Sequence, residues 1–404
     1  MCAELISEKK SAFLVCTPKL FYFICYVPLN HLIMAHIIVS KTELYSKLSI
    51  VSKIISGKNT LPAYDNFLFE VDNDSLVKVI AGEDGGQLSA NIDCTAENLS
   101  GTSFMLNAKT ILDGLKDIPE QPLKIEVDTK TVCVRYSNGR FEMAAYDSSE
   151  YPKIAINSPE PPYSILGLKF LSGLRQVQFC CANDELRPVM NGVFLDKESD
   201  RITFVATDGS SLALYEEKVD FQRKDKSSFI LPGKMARILS KITSAAEDVL
   251  ISIGSDNVSF EFASFVLICR MVEGRYPNYR SVIPDNQNRA RLAKDSLLSA
   301  LKRVSVFSST SSSLVILKFD SNKITLSGRD YAFSYSAEES VDLISYDGSK
   351  IEIGFNSNKL IDLLSNVPTE EVIISLNDPS RAGVITCPDE SSITYLLMPL
   401  SINQ

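Results

Sequence analysis

One pattern of strand-like, turn and helix-like segments occurs three times in this 404-residue chain. Its first landmark is a β-rich run that follows an amphipathic helical stretch. The three runs are DNFLFEV (65–71), MNGVFLD (190–196) and SLVILKF (313–319). Their anchor residues Asn66, Asn191 and Leu314 lie 125 and 123 residues apart. Because the period is that long, each copy is a whole domain with its own core, not a short solenoid repeat.

Three further landmarks keep their distance from the anchor. An acidic turn holds Asp84, Asp208 and Asp330, which follow their anchors by 18, 17 and 16 residues. A second helix opens with a turn and a lysine in NAKTIL (107–112), PGKMARIL (232–239) and NSNKLIDLL (356–364). Each copy closes on a proline, namely Pro152, Pro277 and Pro399, at offsets of 86, 86 and 85. Four landmarks in a fixed order indicate a triplicated domain.

Each copy is predicted to run helix, strands, helix, strands. Alternating apolar runs such as ITFVAT and VLISIG are typical of half-buried strands. The fold class is therefore α+β, with two helices on one side of an antiparallel sheet in each domain. We predict domains at 34–157, 158–286 and 287–404. The predicted helices are 41–56, 107–118, 168–182, 232–243, 293–307 and 356–366.

The first 33 residues do not follow this pattern. The stretch SAFLVCTPKLFYFICYVPLNHLI is apolar but broken by Pro18, Lys19 and Pro28. It is too interrupted for a membrane span, and it lacks the basic start and cleavage site of a secretory signal. We expect residues 1–33 to be a non-native or disordered extension, with Met34 as the true start.

Cysteine and histidine usage argues against a metal site or a catalytic centre. The nine cysteines are irregularly spaced without a C-x-x-C pair, and the chain has only two histidines. This pattern is typical of reduced thiols in a cytoplasmic protein that binds no metal or cofactor. No Ser-His-Asp or Cys-His arrangement can form across the repeats, and no phosphate-binding G-x-x-x-x-G-K-[ST] loop occurs. We therefore expect a protein that is not an enzyme.

Charge is segregated by element type. The net charge is −9, yet the six predicted helices carry 14 Lys and Arg against five Asp and Glu. Surface helices normally mix both signs, which supports pairing between residues four apart. If the helices share one side of the sheets, that side is basic, and it suits contact with duplex phosphates without base reading. The basic residues are Lys41, Lys47, Lys53, Lys109, Lys116, Lys169, Arg175, Lys234, Arg237, Lys241, Lys294, Lys302, Arg303 and Lys359.

Five segments resemble one family. RPVMNGVFL (187–195), FVATDGSSLAL (204–214), EGRYPNYRSVIP (273–284), IEIGFN (351–356) and the terminal YLLMPL are similar to the bacterial DNA polymerase III beta-subunit, or sliding-clamp, family. The resemblance covers about residues 34 to 404, in order. It implies a head-to-tail homodimer whose six domains form a ring around duplex DNA. Twelve helices would line the hole, and the sheets would form the outside.

The resemblance also implies a pocket between the second and third domains for short extended peptides. Its partners would be the replicative polymerase catalytic subunit, the clamp loader and repair proteins. The matching residues are Arg187, Met190, Thr207, Gly209, Leu212, Pro277, Val282, Tyr346, Leu396, Leu397, Met398 and Pro399. Ser210 and Ser211 stand where the family often has His-Arg, and Ser281 where it often has Arg. We expect the peptide preference to be shifted accordingly.

The resemblance implies two further sets of functional residues, one for DNA binding and one for ring closure. Lys58, Lys234 and Lys241 match positions that touch the duplex, and Arg237, Lys47 and Lys302 complete the predicted DNA-binding set. Ring closure would join the first domain of one copy to the third domain of the other. The matching residues are Arg135, Arg140, Phe141 and Met143 in the first domain, and Val306, Phe307, Glu338 and Glu339 in the third.

The function predicted from sequence is a DNA sliding clamp that binds duplex DNA without sequence preference and confers processivity on a polymerase holoenzyme. No membrane partner is expected. A non-catalytic repeat scaffold is the alternative, because it explains the repeats equally well. It does not explain the basic helices.

Overall fold

A computed structural model describes residues 35–57, 59–156, 161–388, 390 and 392–402. The predicted extension at 1–33 lies outside the described residues. The chain divides into two compact units, one of residues up to 81 with 89–152, and one of residues 82–88 with 153–404. The first repeat provides most of the first unit, and the second and third repeats lie in the second unit.

The described residues of the first repeat form two α-helices and nine strands. They are β1 (His36–Ser40), α1 (Lys41–Val51), β2 (Asn66–Asn73), β3 (Leu76–Glu83), β4 (Gly86–Asp93), β5 (Thr95–Glu97), β6 (Thr102–Asn107), α2 (Ala108–Lys116), β7 (Pro122–Val127), β8 (Thr131–Tyr136) and β9 (Gly139–Ala144). One sheet has the strand order β5-β1-β7-β8-β9, and β4-β3-β2-β6 are neighbours in another. Helices α1 and α2 pack against each other.

The second repeat has the same order of elements, except that its described residues include no strand equivalent to β5. They are β10 (Tyr163–Leu166), α3 (Gly167–Val177), β11 (Gly192–Lys197), β12 (Arg201–Thr207), β13 (Ser211–Lys218), β14 (Ser227–Pro232), α4 (Gly233–Ile242), β15 (Asp248–Ile253), β16 (Asn257–Phe262) and β17 (Phe265–Arg270). Strands β10-β15-β16-β17 are successive neighbours. In α3, a Cβ on Gly173 would lie 2.3 Å from the ring of Phe204, so only glycine lets this helix approach its sheet.

The third repeat completes the second unit. Its elements are β18 (Asn288–Ala293), α5 (Lys294–Ser305), β19 (Leu314–Phe319), β20 (Lys323–Asp330), β21 (Tyr335–Asp342), β22 (Ser345–Asp347), β23 (Ile351–Asn356), α6 (Ser357–Ser365), β24 (Glu371–Leu376), β25 (Gly383–Thr386) and β26 (Ile393–Leu397). A four-stranded sheet has the order β21-β20-β19-β23. Helices α5 and α6 pack against each other, as α3 and α4 do.

Strand β26 joins the third repeat to the second. It pairs antiparallel with β13, with Ser211 opposite Leu397 and Tyr215 opposite Ile393. The result is a nine-stranded sheet, β14-β11-β12-β13-β26-β25-β24-β18-β22, that both repeats share. The two repeats are thus connected by a continuous hydrogen-bonded ladder.

The predicted threefold α+β pattern is confirmed. Asn66 and Leu314 begin β2 and β19, and Asn191 directly precedes β11. The acidic turns connect β3 to β4, β12 to β13 and β20 to β21. All six predicted helices form. One strand in each copy was not predicted from the sequence. These strands, β1, β10 and β18, precede the first helix and pair with the strand that follows the second helix. These strands are only four to six residues long, too short for alternation to stand out.

The first helices of the first two repeats end earlier than predicted. Helix α1 ends at Val51, where a 3₁₀ turn over Ser52–Ile54 leads to an extended Ile55. Helix α3 ends at Val177, before a similar turn over Gln178–Cys180. Apolar residues continue past both ends, since the 3₁₀ turns also bury Ile54 and Cys180. Periodicity alone therefore extended both helices too far.

Among the described residues, no helix combines the length and the apolar character that crossing a bilayer requires.

Candidate binding cleft and basic helix faces

An apolar cleft of about 230 Å³ lies where β13 and β26 join the second and third repeats. Its rim exposes Val282 and Met398, whose exposed fractions are 55% and 46%. Its floor includes the buried Leu212 and Leu396. The complete lining is Met190, Thr207, Gly209, Ser210, Ser211, Leu212, Pro277, Asn278, Tyr279, Val282, Ala382, Leu396 and Met398. An exposed apolar rim over a rigid floor suits apolar side chains of a partner.

The segment RYPNYRSV forms one wall because its two tyrosines are anchored in the core. Tyr276 stacks on Phe194 with ring centroids 4.7 Å apart. The hydroxyl of Tyr279 donates to Oδ2 of Asp196 at 2.8 Å. Burial, together with this carboxylate, raises the pKa of Tyr279 to about 12, so the hydroxyl stays protonated and can donate. The anchored tyrosines fix Pro277 and Val282 at the cleft.

The turn between β12 and β13 forms the opposite end of the cleft. Oδ1 of Asp208 accepts hydrogen bonds from the backbone N–H groups of Ser210 and Ser211, at 2.8 and 2.7 Å. Gly209 has a φ of +88°, a conformation that glycine adopts without strain. A Cβ there would also lie 2.6 Å from Nη1 of Arg187. Asp208 and Gly209 of the repeated acidic turn therefore have a structural role.

Helix α6 of the third repeat reaches this turn. The side chain of Asn356 caps the helix by accepting from the N–H of Lys359 at 3.1 Å, and this places Lys359 on the first turn. The ammonium of Lys359 donates to Oδ2 of Asp208 and to Oγ of Ser210. Burial alone would raise the pKa of Asp208, but the Lys359 ammonium and the Ser211 and Ser210 N–H groups hold it at about 2.

Eight of the twelve residues predicted for the peptide pocket line this cleft. Arg187, Tyr346, Leu397 and Pro399 do not. Arg187 lies beside Gly209, and Leu397 is buried in the β13–β26 ladder. Tyr346 stacks on Phe319 in the third repeat, with its hydroxyl on the carbonyl of Ser349.

Five lining residues are not in the predicted pocket set, namely Ser210, Ser211, Asn278, Tyr279 and Ala382. Ser210 and Ser211 were expected only to shift the peptide preference. Four of them lie inside segments already recognised, so their neighbours could have indicated them. Ala382 lies between β24 and β25, in a segment with no motif. Only the position of β25 beside β26 brings it to the cleft.

Helix α4 presents a basic face opposite its buried face. Lys234, Arg237 and Lys241 recur at spacings of three and four, which places them on one side of the helix. Arg237 and Lys241 are exposed, and neither side chain has a hydrogen bond or ion pair with a described residue. Lys234 differs, because its ammonium pairs with the largely buried carboxylate of Glu83.

The other predicted DNA-binding residues lie in varied surroundings. Lys302 is exposed on the last turn of α5. Lys47 on α1 is half-buried and pairs with Glu43 four residues earlier, at 3.8 Å. Lys58 lies outside the described residues.

The four predicted interface residues of the first repeat lie on β8 and on β9, an edge strand of its sheet. Arg140 is exposed, and Arg135 opposite it donates to Glu126 at 2.6 Å. Phe141 is partly exposed, with its ring against Gly114 of α2. Met143 is buried within its own repeat.

The four predicted interface residues of the third repeat lie at the end of α5 and on the edge strand β21. Val306 is 74% exposed and Phe307 is 41% exposed. Glu338 is exposed, and Glu339 accepts two hydrogen bonds from Arg303, at 3.0 and 2.5 Å. This arrangement leaves an apolar pair accessible next to an acidic strand.

No cluster of His, Cys, Asp and Glu that could hold a metal ion occurs in the part of the chain that the structure describes.

Comparison with known families accounts for all three repeats. The models for the N-terminal, central and C-terminal domains of the DNA polymerase III beta subunit match residues 35–155, 167–278 and 280–401. The chain belongs to the DNA polymerase III beta-subunit family. The family resemblance predicted from sequence is confirmed.

Similar proteins align with this chain over almost their full length. The chain is 26% identical to the beta sliding clamp of Vibrio cholerae over 369 residues, which is 90% of this chain and 99% of that protein. It is 25% identical to the beta sliding clamp of Escherichia coli K12, with the same coverage. A crystal structure of the Pseudomonas aeruginosa clamp bound to griselimycin superposes with a TM-score of 0.86 at 22% identity. That superposition covers 91% of this chain and 100% of the other, and it shows the shared fold.

As a member of the beta-subunit family, the chain is a sliding clamp of DNA replication and a non-catalytic subunit rather than an enzyme. The expected function is thereby confirmed over the alternative of a simple scaffold. The assignment of individual residues to DNA, partner peptide or ring closure stays a prediction.

Proposed function

We propose that two copies of this chain close head to tail into a ring around duplex DNA, and that the cleft tethers replication proteins to the ring. The observation that carries ring closure is the pair of edge strands β9 and β21. Of the eight residues of β21, only Val341 is buried. An exposed edge of this length is normally covered in the functional assembly, because its backbone groups would otherwise recruit other chains.

The two edges complement each other chemically. Strand β21 carries the exposed Glu338 beside the apolar Val306 and Phe307. Strand β9 carries the exposed Arg140 and the partly exposed Phe141. Pairing β9 of one copy with β21 of the other would bring opposite charges together around an aromatic contact. Because each copy has one edge of each kind, two such contacts would close a two-fold ring.

The basic helix faces support the proposal that duplex DNA lies inside the ring. Arg237 and Lys241 on α4 and Lys302 on α5 extend into solvent without acidic partners among the described residues. Long, flexible cations give sequence-independent attraction that weakens with salt and permits sliding. Topology rather than affinity would keep the protein on the DNA.

The cleft supports the tethering role. Its exposed Val282 and Met398 would accept apolar side chains of an extended peptide, and methionine adapts to different partners. The peptides would come from the replicative polymerase catalytic subunit, the clamp loader and repair proteins. We place the protein in the cytoplasm, with domain limits at 34–157, 158–286 and 287–404.

Sedimentation of the full chain tests ring closure. Wild type should sediment at twice the 44.7 kDa mass of the chain. Val306→Ala with Phe307→Ala should give a folded monomer, because losing two interface side chains costs about 3 kcal/mol or more. Leu168→Ala, at an exposed apolar residue of α3 in the second repeat, should stay dimeric. A monomeric wild type, or an unchanged dimer in the folded double variant, would overturn this assignment.

A further inference from the structure

The sheet of each repeat carries an equivalent set of three residues on adjacent strands. In every set the first residue lies directly opposite the other two, on the strands at its two sides. Residues that are directly opposite share one face of a sheet, so each set forms a continuous patch, which we call the triad. The triads are Leu68, Ile80 and Met105 in the first repeat, Phe194, Val205 and Ile230 in the second, and Ile316, Ser327 and Gly354 in the third.

A tyrosine packs on the triad in each of the first two repeats. Tyr151 forms one buried cluster with all three residues of the first triad. Tyr276 stacks on Phe194 of the second triad, and its hydroxyl donates to the carbonyl oxygen of Val205 at 3.4 Å. The two tyrosines are only 4% and 7% exposed, and a proline follows each of them. A Tyr-Pro pair therefore shields this face of the sheet from water twice in the chain.

The third triad lacks this tyrosine. In the second repeat the backbone N–H of Val272 donates to the carbonyl of Ile230 at 3.0 Å, and Tyr276 follows four residues later. In the third repeat the N–H of Leu400 donates to the carbonyl of Gly354 at 2.8 Å in the same way. The residues after Leu400 are Ser-Ile-Asn-Gln, none of which is aromatic.

A cavity of about 280 Å³ lies over the third triad. Ile316 and Ser327 line it together with Leu314, and Ile402 closes one side. Ile316 is partly exposed, whereas its counterpart Leu68 in the first repeat is fully buried. A cavity of about 150 Å³ is enough to hold benzene, so an aromatic side chain fits here.

The edge of the cavity supplies groups that suit a phenol. Ser309 and Ser311 line it, with their Oγ atoms 2.9 Å apart. Arg329 is exposed at the edge without a partner for its guanidinium among the described residues, and a guanidinium stacks well on an aromatic ring. Asp330 is the acid of the lining, and its Oδ1 accepts from the N–H of Ala332 in its own turn. A tyrosine, with an apolar ring and a polar tip, matches both the floor and the edge.

We propose that this cavity, the third-repeat socket, is a second peptide-binding site, which takes a tyrosine followed by proline from an extended segment of a partner protein. The two equivalent places in the chain are filled by this pair, so the same chemistry suits the third. Proline keeps the preceding residue extended, which presents the tyrosine with little loss of conformational freedom. The socket lies within the third repeat, so it depends neither on the cleft at β13 and β26 nor on ring closure.

The occupant comes from a different protein rather than from a second copy. The chain contains two Tyr-Pro pairs, at Tyr151 and Tyr276. Both tyrosines are buried in their own repeats, so a folded copy cannot donate either of them. A socket filled mainly by one ring should bind a short peptide with a Kd on the order of 0.1–1 mM.

Saturation-transfer difference NMR with the full-length protein tests the inference. The probe is the acetylated, amidated hexapeptide Ser-Glu-Tyr-Pro-Lys-Ile, which copies residues 149–154, and its control is Ser-Glu-Ala-Pro-Lys-Ile. The proteins are wild type, Ser327→Phe, Thr325→Phe and Met398→Asp, with the chain that begins at Met34 as a further sample. Thr325→Phe is the matched control, because Thr325 lies two residues from Ser327 on the same face of β20 but outside the cavity lining.

Wild type, Thr325→Phe and Met398→Asp should bind the tyrosine peptide at least about tenfold more tightly than the alanine peptide, because the ring provides most of the buried area. Ser327→Phe should lose this binding, since its own ring fills the socket. If Ser327→Phe unfolds, Ile402→Asp at the side of the cavity gives the same comparison.

Three results would overturn the inference while leaving the cleft and ring proposals intact. The first is equal binding of the tyrosine peptide by wild type and folded Ser327→Phe, or binding by neither. The second is loss of binding in Met398→Asp, which would place the peptide in the cleft. The third is binding by the chain that begins at Met34 alone, which would make residues 1–33 the occupant instead of a partner protein.

Discussion

The hydroxyl of Tyr395 donates a hydrogen bond to Oε1 of Gln176 at 2.5 Å, linking strand β26 of the third repeat to helix α3 of the second. The same hydroxyl lies 3.2 Å from the carbonyl oxygen of Asn366, just after α6. The ring is fully buried and packs edge-on against Phe179. Because Leu396 follows directly, this contact supports the floor of the cleft.

Replacing Tyr395 by Phe should therefore destabilise the second unit without leaving a cavity in the core. Loss of one buried hydrogen bond costs about 1–2 kcal/mol, including the oxygen left without a donor. Urea unfolding of the full chain measures this loss. Tyr346→Phe is the matched control, since its hydroxyl bonds a carbonyl at the surface and its loss should cost less than half as much. Equal stability of wild type and Tyr395→Phe would contradict the structural role given to this contact.

The apolar rim of the cleft can be tested separately from stability. Met398→Asp places a charge where an apolar partner side chain would lie. Affinity for a labelled, amidated hexapeptide that carries one Leu-Phe pair in a Gly-Ser background should therefore fall at least about tenfold. Because Met398 is 46% exposed, the melting temperature should barely change. Ile344→Asp, at an apolar residue of similar exposure, should bind normally. Unchanged peptide affinity in Met398→Asp would remove this residue from the binding surface.

The sequence predicts the cleft in part because its walls come from motifs repeated at a fixed offset. Pro277, Thr207 and Met398 belong to recognisable segments, and all three line the cleft. Ala382 reaches it only through the pairing of β25 with β26. Strand order and register are long-range properties, and hydrophobic alternation within a single strand does not determine them.

Asp208 makes stability depend on acid pH. Its pKa is lowered to about 2 in the folded protein from an ordinary value of 3.8, so the folded state binds this proton less readily than the unfolded chain. The stabilisation is fully present above about pH 4 and is lost as the pH falls toward about 2. Asp208→Asn should therefore be less stable than wild type at neutral pH, and the two should converge near pH 2. A difference in unfolding free energy that does not change between these pH values would contradict the assignment.

DNA binding by α4 predicts a specific salt dependence. Charge reversal of Arg237 and Lys241 should reduce the slope of log affinity against log salt by about 0.9 for each phosphate that the protein no longer neutralises. Lys234 should matter less, because its ammonium already pairs with Glu83. Lys323→Glu provides a charge-matched control on β20. An unchanged slope in the Arg237→Glu, Lys241→Glu variant would exclude this face from DNA binding.

The ion pair between Lys234 and Glu83 shows that the number of lysines on a helix does not predict how many of them remain unpaired. Helix composition predicts a basic face, and Arg237 and Lys241 are exposed as expected. Whether a given lysine keeps its charge available depends on which acid the fold brings beside it. Glu83 lies 151 residues before Lys234, and Glu339 of β21 meets Arg303 because helix α5 packs on that strand. Such partners follow from tertiary packing and not from local pattern.

Topological retention on DNA tests the central claim most directly. The full-length protein is loaded onto nicked circular plasmid by a bacterial clamp loader with ATP and then separated by gel filtration at raised salt. Half of the sample is first linearised by a single-site nuclease. If the protein is a closed ring, it should stay with the circle and be lost from the linear DNA, because sliding off an end needs no dissociation. Equal retention on both forms, or loss from both, would contradict the account.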